Sequence, residues 1–349
     1  MFRLSATGLS GGGIGYDARM KVLYVGGTGQ ISFDCVHESV RAGHETWVLN
    51  RGNSNAGLPA ETKFITCDFE DDTAYAQIAE MGCDAVCQFR VFGVDKLKRD
   101  IDLLTGKVGQ YVFISTASAY HKPVRVQFIT EDVPLVNPHW EYSRNKADCE
   151  ALLRESVGLP WTILRPSHTS RDMLITAMGE HDLLASRMER GLPVVVPGDG
   201  TSLWTVTASR DFAPPFVKLL GNPKAIGEDF HLTSDHAYAW NTLYAALGEA
   251  LGASPDVVHV PTNTLVKFNP DWDGPLWGDK VWSAQFDNRK IKSVVGDFTC
   301  DTSLAQFMED RVEAYRARVE KARGPEAIIN VELDALFDRI AAAQRSLGV

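Results

Sequence analysis

The chain has 349 residues, a formal net charge of −10 and an ordinary hydrophobic share of 44%. That length allows one large core, or a core with a smaller lobe. The acidic balance speaks against a general binder of nucleic acid or anionic membranes, since both need a basic face, and no run of about 18 apolar residues is present to cross a bilayer.

Residues 1–19 include Ser10-Gly11-Gly12-Gly13 and lack the apolar stretch of a signal peptide, so they read as a flexible extension, with Met20 an equally good start. Val22-Leu23-Tyr24-Val25 then reads as a buried parallel strand, followed at once by Gly26-Gly27-Thr28-Gly29-Gln30-Ile31-Ser32 and a segment of helical spacing. This order suits a dinucleotide pyrophosphate: small residues let the backbone approach the phosphates, and free N–H groups at the helix start face negative charge. Further strands are expected at 45–49, 62–66, 84–89, 110–115 and 161–164, with helices near 30–42, 72–81, 94–106 and 141–157 between them. Such alternation is the signature of a doubly wound parallel sheet.

After Pro166 the pattern breaks up. Helical segments (172–190, 209–220, 240–252) mix with short strands (193–196, 229–233, 257–260), as in a smaller lobe closing over the sheet's carboxyl edge. Residues 262–288 are rich in aromatic and polar groups, among them Trp272, Trp277, Trp282 and Asp287, which suit either a polyol substrate or a packed loop. The last 45 residues read as two amphipathic helices, one striped by Phe307, Val312 and Tyr315, the other by Leu333, Leu336, Phe337 and Ile340. The expected organisation is a flexible 1–19, a dinucleotide-binding core over 20–166, a substrate lobe over 167–300 interleaved with the core, and C-terminal helices over 301–349. The six cysteines are scattered without paired C-x-x-C units and read as reduced thiols of a cytosolic enzyme, with no metal site.

Tyr142-Ser143-Arg144-Asn145-Lys146 begins a helical run, so Tyr142 and Lys146 share one face. A tyrosine near its ordinary pKa of about 10 is a poor base. A nearby ammonium, together with an oxidised nicotinamide, stabilises the phenolate and lowers that value. Ser115-Thr116, at the end of the fifth strand, supplies a hydroxyl at the same sheet edge.

These stretches together resemble the extended branch of the short-chain dehydrogenase/reductase superfamily, the NAD-dependent epimerases and dehydratases. The resemblance is carried by the glycine turn, Asp68, Ser115-Thr116-Ala117-Ser118-Ala119-Tyr120, Tyr142 with Lys146, and Leu164-Arg165-Pro166, and it is diffuse beyond the first 170 residues. It implies an α/β, Rossmann-type doubly wound sheet with a smaller mixed α/β substrate lobe. It also implies hydride transfer at a carbinol of a sugar or sugar-nucleotide, by epimerisation or by net oxidoreduction. Tyr142 would be the acid/base, Lys146 would bind ribose and tune it, and Thr116 would hold the reacting oxygen. The implied cofactor contacts are Gly26, Thr28, Gly29, Gln30, Ile31, Asn50, Arg51, Asp68, Phe89, Ser115, Tyr142, Lys146 and Pro166. No carboxylate stands at the end of the second strand, and Arg51 suits a 2′-phosphate, so NADP is slightly favoured while NAD stays open. Ala117 and Ser118 replace the Asp-Glu pair of sugar 4,6-dehydratases, which speaks against water elimination.

Arg90, Ser118, His168 and Trp204 are the candidate substrate contacts. Arg90 would face an anionic group or make a salt bridge; His168 would touch substrate, serve as a second acid/base, or pack. His121, His139 and His181 read as structural or surface residues. Two segments, 197–205 and Gly278-Asp279-Lys280, resemble a bacterial epimerase/dehydratase-like subgroup, which in turn resembles chloroplast stem-loop-binding proteins. A non-catalytic RNA-binding protein on this fold is therefore the alternative, disfavoured by the acidic charge. A homodimer formed through the helices near 94–106 and 141–157, in the cytoplasm and without a membrane partner, is what the resemblance implies for assembly.

Overall fold

The computed structural model describes residues 19–347. The extension expected over residues 1–19 lies outside them except for Arg19. In chain order the first half reads β1 (Lys21–Val25), α1 (Ser32–Arg41), β2 (Glu45–Asn50), β3 (Lys63–Thr66), a short α2 (Asp72–Tyr75), β4 (Ala85–Gln88), α3 (Val94–Leu104), β5 (Gln110–Ile114), α4 (Glu141–Glu155) and β6 (Trp161–Pro166). The helix expected over 72–81 tightens halfway into a 3₁₀ turn at Ala76–Glu80.

All pairings in the main sheet are parallel, with spatial order from the edge strand Glu228–Leu232 through β6, β5, β4, β1 and β2 to β3. The stretch expected as a lobe strand at 229–233 is therefore the seventh strand of the main sheet, in register with β6. Its pairing partner lies 66 residues back in the chain, and nothing local marks it as a sheet edge. The order reverses between β1 and β4, and a crevice opens at the carboxyl ends of the strands at such a switch point.

The alternation inside each strand explains why the strands read as continuous apolar runs. Val22 and Tyr24 face one side, packed with Cys35 and Val36 of α1 and with Phe212 and Phe216 of the helix α6 (Ser209–Val217). Leu23 and Val25 face the other side, with Leu97 and Leu104 of α3 and Cys149 and Leu153 of α4. Both faces are covered, as a parallel sheet requires.

The remaining chain builds a third apolar cluster. Its parts include α5 (Asp182–Glu189), α7 (Trp240–Leu251), a parallel pair of short strands (Val194–Pro197 with Val257–Val260) and the helices Leu304–Ala322 and Val331–Ser346. The helix expected over 172–190 is shortened to α5. The carboxamide oxygen of Gln30 accepts the N–H groups of Arg171, Asp172 and Met173, which holds that segment open. His181, at φ 43°, then turns the chain into α5. Trp272 packs on Phe337 at 5.8 Å, Trp277 packs on Trp282 at 5.9 Å, and Asp287 pairs with Arg289. The stretch at 262–288 is thus largely a run of short helical turns whose tryptophans pack within the protein, while Asp279, Lys280, Ala284 and Phe286 line a cleft.

The core and the edge strand are joined by a buried charge network. Arg165, 1% exposed, donates to Glu150 at 2.5 Å and lies 2.7 Å from Asp229 of the edge strand. Removing one partner of a buried pair leaves an uncompensated charge. Glu150→Ala should therefore lower the unfolding free energy by about 3 kcal/mol in urea titration, the low end of the usual range because Asp229 remains. A loss under about 1 kcal/mol would mean that Asp229 alone balances Arg165.

Candidate active site

The glycine turn leaves β1 with Gly26 at φ 87° and its N–H bonded to Leu49 O at 3.0 Å. Ser32 locks the turn from within. Its hydroxyl donates to Gly26 O at 2.7 Å and accepts from Gly29 N at 3.0 Å. A Cβ on Gly27 would meet Val48 Cγ2 at 2.7 Å, and one on Gly26 would meet Arg90 Cγ at 2.7 Å. The turn therefore admits backbone where a side chain would not fit. α1 has no side-chain cap; Phe33 N–H donates to Gly29 O at 3.2 Å, and no side chain occupies the helix start where an anion would sit.

Around this turn lies a cleft of about 560 Å³. All thirteen residues expected at the dinucleotide line it: Gly26, Thr28, Gly29, Gln30, Ile31, Asn50, Arg51, Asp68, Phe89, Ser115, Tyr142, Lys146 and Pro166. Three of them are already engaged within the protein. The Gln30 carboxamide is held by the 171–173 segment and by Asp172, leaving its backbone to face the cleft. Asn50 builds the following loop through Asn55 and Gly52 N, and Asp68 accepts from Glu70 N at 3.0 Å. Arg51 is exposed beside Asn53 and Ser54. The Ser115 hydroxyl is buried with no partner. An unpaired hydroxyl, a glycine cradle and an uncapped helix start together fit a dinucleotide.

Arg90 belongs to this first cleft. Its stem covers Gly26 and its guanidinium lies 5.9 Å from the Phe92 ring, and it forms no ion pair among the described residues. It does not line the neighbouring substrate-side cleft, so the expected contact with a substrate anion is replaced by a position above the glycine turn.

A second cleft of about 300 Å³ adjoins the first, and the two share Thr116, Tyr142, Pro166 and Ser167. Thr116 ends β5 in an extended conformation. Its hydroxyl is bonded to that of Ser118 at 2.9 Å, which is bonded in turn to that of Ser143 at 2.7 Å. Burial pushes the Tyr142 phenol up from its usual value, and a hydrogen bond with Thr116 pulls it the other way. Lys146, 2% exposed, donates to Val91 O at 2.6 Å and Ile114 O at 2.7 Å. Its third N–H is left for the first cleft. Without a bound nicotinamide, burial is the largest influence on the Tyr142 phenol.

Ser118, His168 and Trp204 line the second cleft. Burial, helped by Lys280, His181 and Arg311, pushes His168 down to about 3. This favours the neutral imidazole in the ligand-free cleft. Trp204 stacks on Trp240 at 5.5 Å, and its buried indole N–H has no partner. Trp140, Ser167, Thr205, Asp279 and Lys280 also line this cleft and were not anticipated as site residues. Thr205 and Asp279-Lys280 fall in the two segments, 197–205 and 278–280, that the sequence marks by resemblance, while Trp140 and Ser167 left no such sign. Gly278 explains its own identity: a Cβ there would meet Trp140 Cβ at 2.6 Å.

Residues 26–178 match the profile of a family described as NAD(P)H-binding. The chain is 26% identical over 254 residues to the chloroplast stem-loop binding protein of 41 kDa b from Arabidopsis thaliana, covering 68% of this chain and 65% of that protein. It is 26% identical over 344 residues to the 2'-dehydrokanamycin reductase of Streptomyces kanamyceticus, covering 95% of this chain and 93% of the reductase. The fold matches that of UDP-glucuronic acid 4-epimerase from Bacillus cereus, solved with UDP-glucuronic acid and NAD, at a TM-score of 0.69 and 17% identity over 86% of this chain and all of that one.

Lys146 offers a direct test of the site's electrostatics. Burial lowers its pKa from 10.5 to about 7. Between those values the unfolded chain holds the proton and the folded chain does not, so stability rises with pH across that window. Lys146→Met should lose that rise. Comparing urea midpoints at neutral pH and at about pH 9 should show the unsubstituted protein gaining on the variant. Parallel courses would mean an ammonium that stays charged throughout.

Proposed function

With an NAD(P)-binding domain on a short-chain dehydrogenase/reductase fold of the epimerase type as premise, we propose that the protein is an NAD(P)-dependent oxidoreductase or epimerase acting at a carbinol of a sugar or sugar-nucleotide. The observation that carries this reading is the junction of the two clefts, where Tyr142 and Thr116 line both. A bound nicotinamide supplies the hydride acceptor or donor. Tyr142 takes the hydroxyl proton in oxidation and returns it in reduction. Thr116 holds the reacting oxygen, and its links to Ser118 and Ser143 fix its rotamer. Lys146, anchored on two carbonyls, directs its remaining N–H toward ribose hydroxyls.

The relative that matches nearly the whole chain is named a reductase, which supports net reduction of a ketone. Epimerisation needs the same three residues, with the ketone turning over in place. NADP is favoured through Arg51, which is exposed at the end of β2 with no carboxylate beside it in Asn50-Arg51-Gly52-Asn53-Ser54. RNA binding is the second reading, favoured by similarity to the stem-loop binding protein. The net charge of −10 opposes it. A gel-shift titration with a stem-loop RNA decides that point.

Tyr142→Phe should lower hydride transfer by about a hundredfold or more while dinucleotide affinity stays within about twofold. Normal turnover by the variant would remove Tyr142 from the acid/base role. Arg51→Ala should weaken NADP about tenfold more than NAD, measured by titrating both into the emptied protein. Equal weakening would take Arg51 away from the 2′-phosphate.

A further inference from the structure

The second cleft carries an unusual pair of charges. Among the described residues lining it there is one carboxylate, Asp279, one ammonium, Lys280, and no guanidinium. Neither side chain has a hydrogen-bond partner or an ion pair within 4.0 Å among the described residues. Burial pushes the Asp279 carboxyl up and the Lys280 ammonium down. Lys280 Nζ lies 5.3 Å from the Trp140 ring centroid and 5.8 Å from that of Trp204. From outside the lining, Lys122 acts on Asp279, Glu180 acts on Lys280, and Arg311 acts on His168.

The backbone that presents this pair is itself unusual. Leu276–Lys280 forms a single π-type turn, closed by Val281 N on Leu276 O at 3.1 Å. Such turns often mark functional positions. The turn is clamped at both ends. Asn137 donates to Gly278 O at 2.7 Å and to Ser118 O at 2.8 Å, and Trp240 Nε1 donates to Lys280 O at 2.9 Å. The pair is thus tied to the same loop that holds Ser118 and Thr116.

We infer that Asp279 and Lys280 are the specificity residues of the substrate cleft, and that they grip neighbouring hydroxyls of an uncharged polyol ring rather than the pyrophosphate of a nucleotide sugar. This rests on the reading that the cleft takes a carbinol substrate. A carboxylate accepts from one hydroxyl, and an ammonium donates to the oxygen of the next. The Trp140 and Trp204 rings offer apolar faces to the ring carbons, and the unpaired Trp204 N–H and the neutral His168 add hydrogen-bonding capacity beside them. A pyrophosphate carries two negative charges and needs either cations in excess or a backbone N–H cradle like that of the first cleft, and the second cleft has a lining that sums to zero and includes no glycine.

The test titrates the full chain, saturated with the dinucleotide it prefers. One arm uses a panel of methyl pyranosides and inositols; the other uses UDP and UDP-glucose. Binding is read by indole fluorescence and calorimetry. The expected result is binding within the uncharged panel, with neither UDP nor UDP-glucose binding more tightly. Asp279→Asn and Lys280→Met should each weaken the bound polyol by about ten- to a hundredfold, as for loss of a charged hydrogen bond. Dinucleotide affinity serves as the folding control and should move less than about twofold. Tighter binding of UDP-glucose that displaces the polyol, no binding by any polyol, or variants that bind as well as the parent would overturn the inference. A polyol that binds through Asp279 and Lys280 but exchanges no hydride would instead overturn the oxidoreductase reading and leave the inference standing.

Discussion

A buried ammonium has to find acceptors, and the position of Lys146 follows from that requirement. Its two hydrogen bonds reach Ile114 O, at the end of β5, and Val91 O, just beyond β4. They pin the start of α4 to the carboxyl edge of the sheet, on the β4–β5 side of the crevice. Tyr142 lies one helical turn before Lys146, and Thr116 lies two residues beyond Ile114. Both side chains are therefore brought to the junction of the clefts by the same two contacts. The arrangement lowers the lysine's proton affinity, and it leaves one N–H free for a ligand.

The two clefts differ in how they carry charge. In the first, Arg51, Arg90, Asp68 and Glu70 are exposed around a backbone cradle, so water screens them and anion recognition falls to N–H groups and flexible guanidinium groups. In the second, Asp279 and Lys280 are half-buried beside aromatic rings and without partners of their own among the described residues. Unpaired charge in a low-dielectric pocket is costly to the empty fold and becomes favourable only when a ligand supplies the missing partners. That contrast matches a general cofactor site beside a selective substrate site.

Much of the site was legible because its parts are local. The glycine turn, the Tyr142–Lys146 spacing and Ser115-Thr116 each sit within a few residues of a strand or helix end, and the phases of those elements aim them at one edge. The same locality explains the first six strands and their helices. What failed to show were features fixed by distant partners. Gln30 read as a cofactor contact, yet its carboxamide holds residues 171–173 and so shortens the helix expected there. Residues 228–232 read as part of a lobe, yet they complete the main sheet because β6 offers an open edge in register. Trp272, Trp277 and Trp282 suited a polyol by composition, while the tryptophans that reach the cleft are Trp140 and Trp204.

The sequence by itself determined the parallel α/β core, the dinucleotide turn and the set Thr116, Tyr142 and Lys146, because strand periodicity, glycine placement and helical spacing are written within short windows. Only the tertiary structure decided what surrounds them. It set Arg90 over the glycine turn, buried Tyr142 and His168, and brought Asp279 and Lys280, more than 130 residues from Tyr142 in the chain, to the cleft that Tyr142 lines. The physical reason is that a side chain's chemistry is set by its solvation and its neighbours, and these come from contacts between segments that the chain keeps far apart.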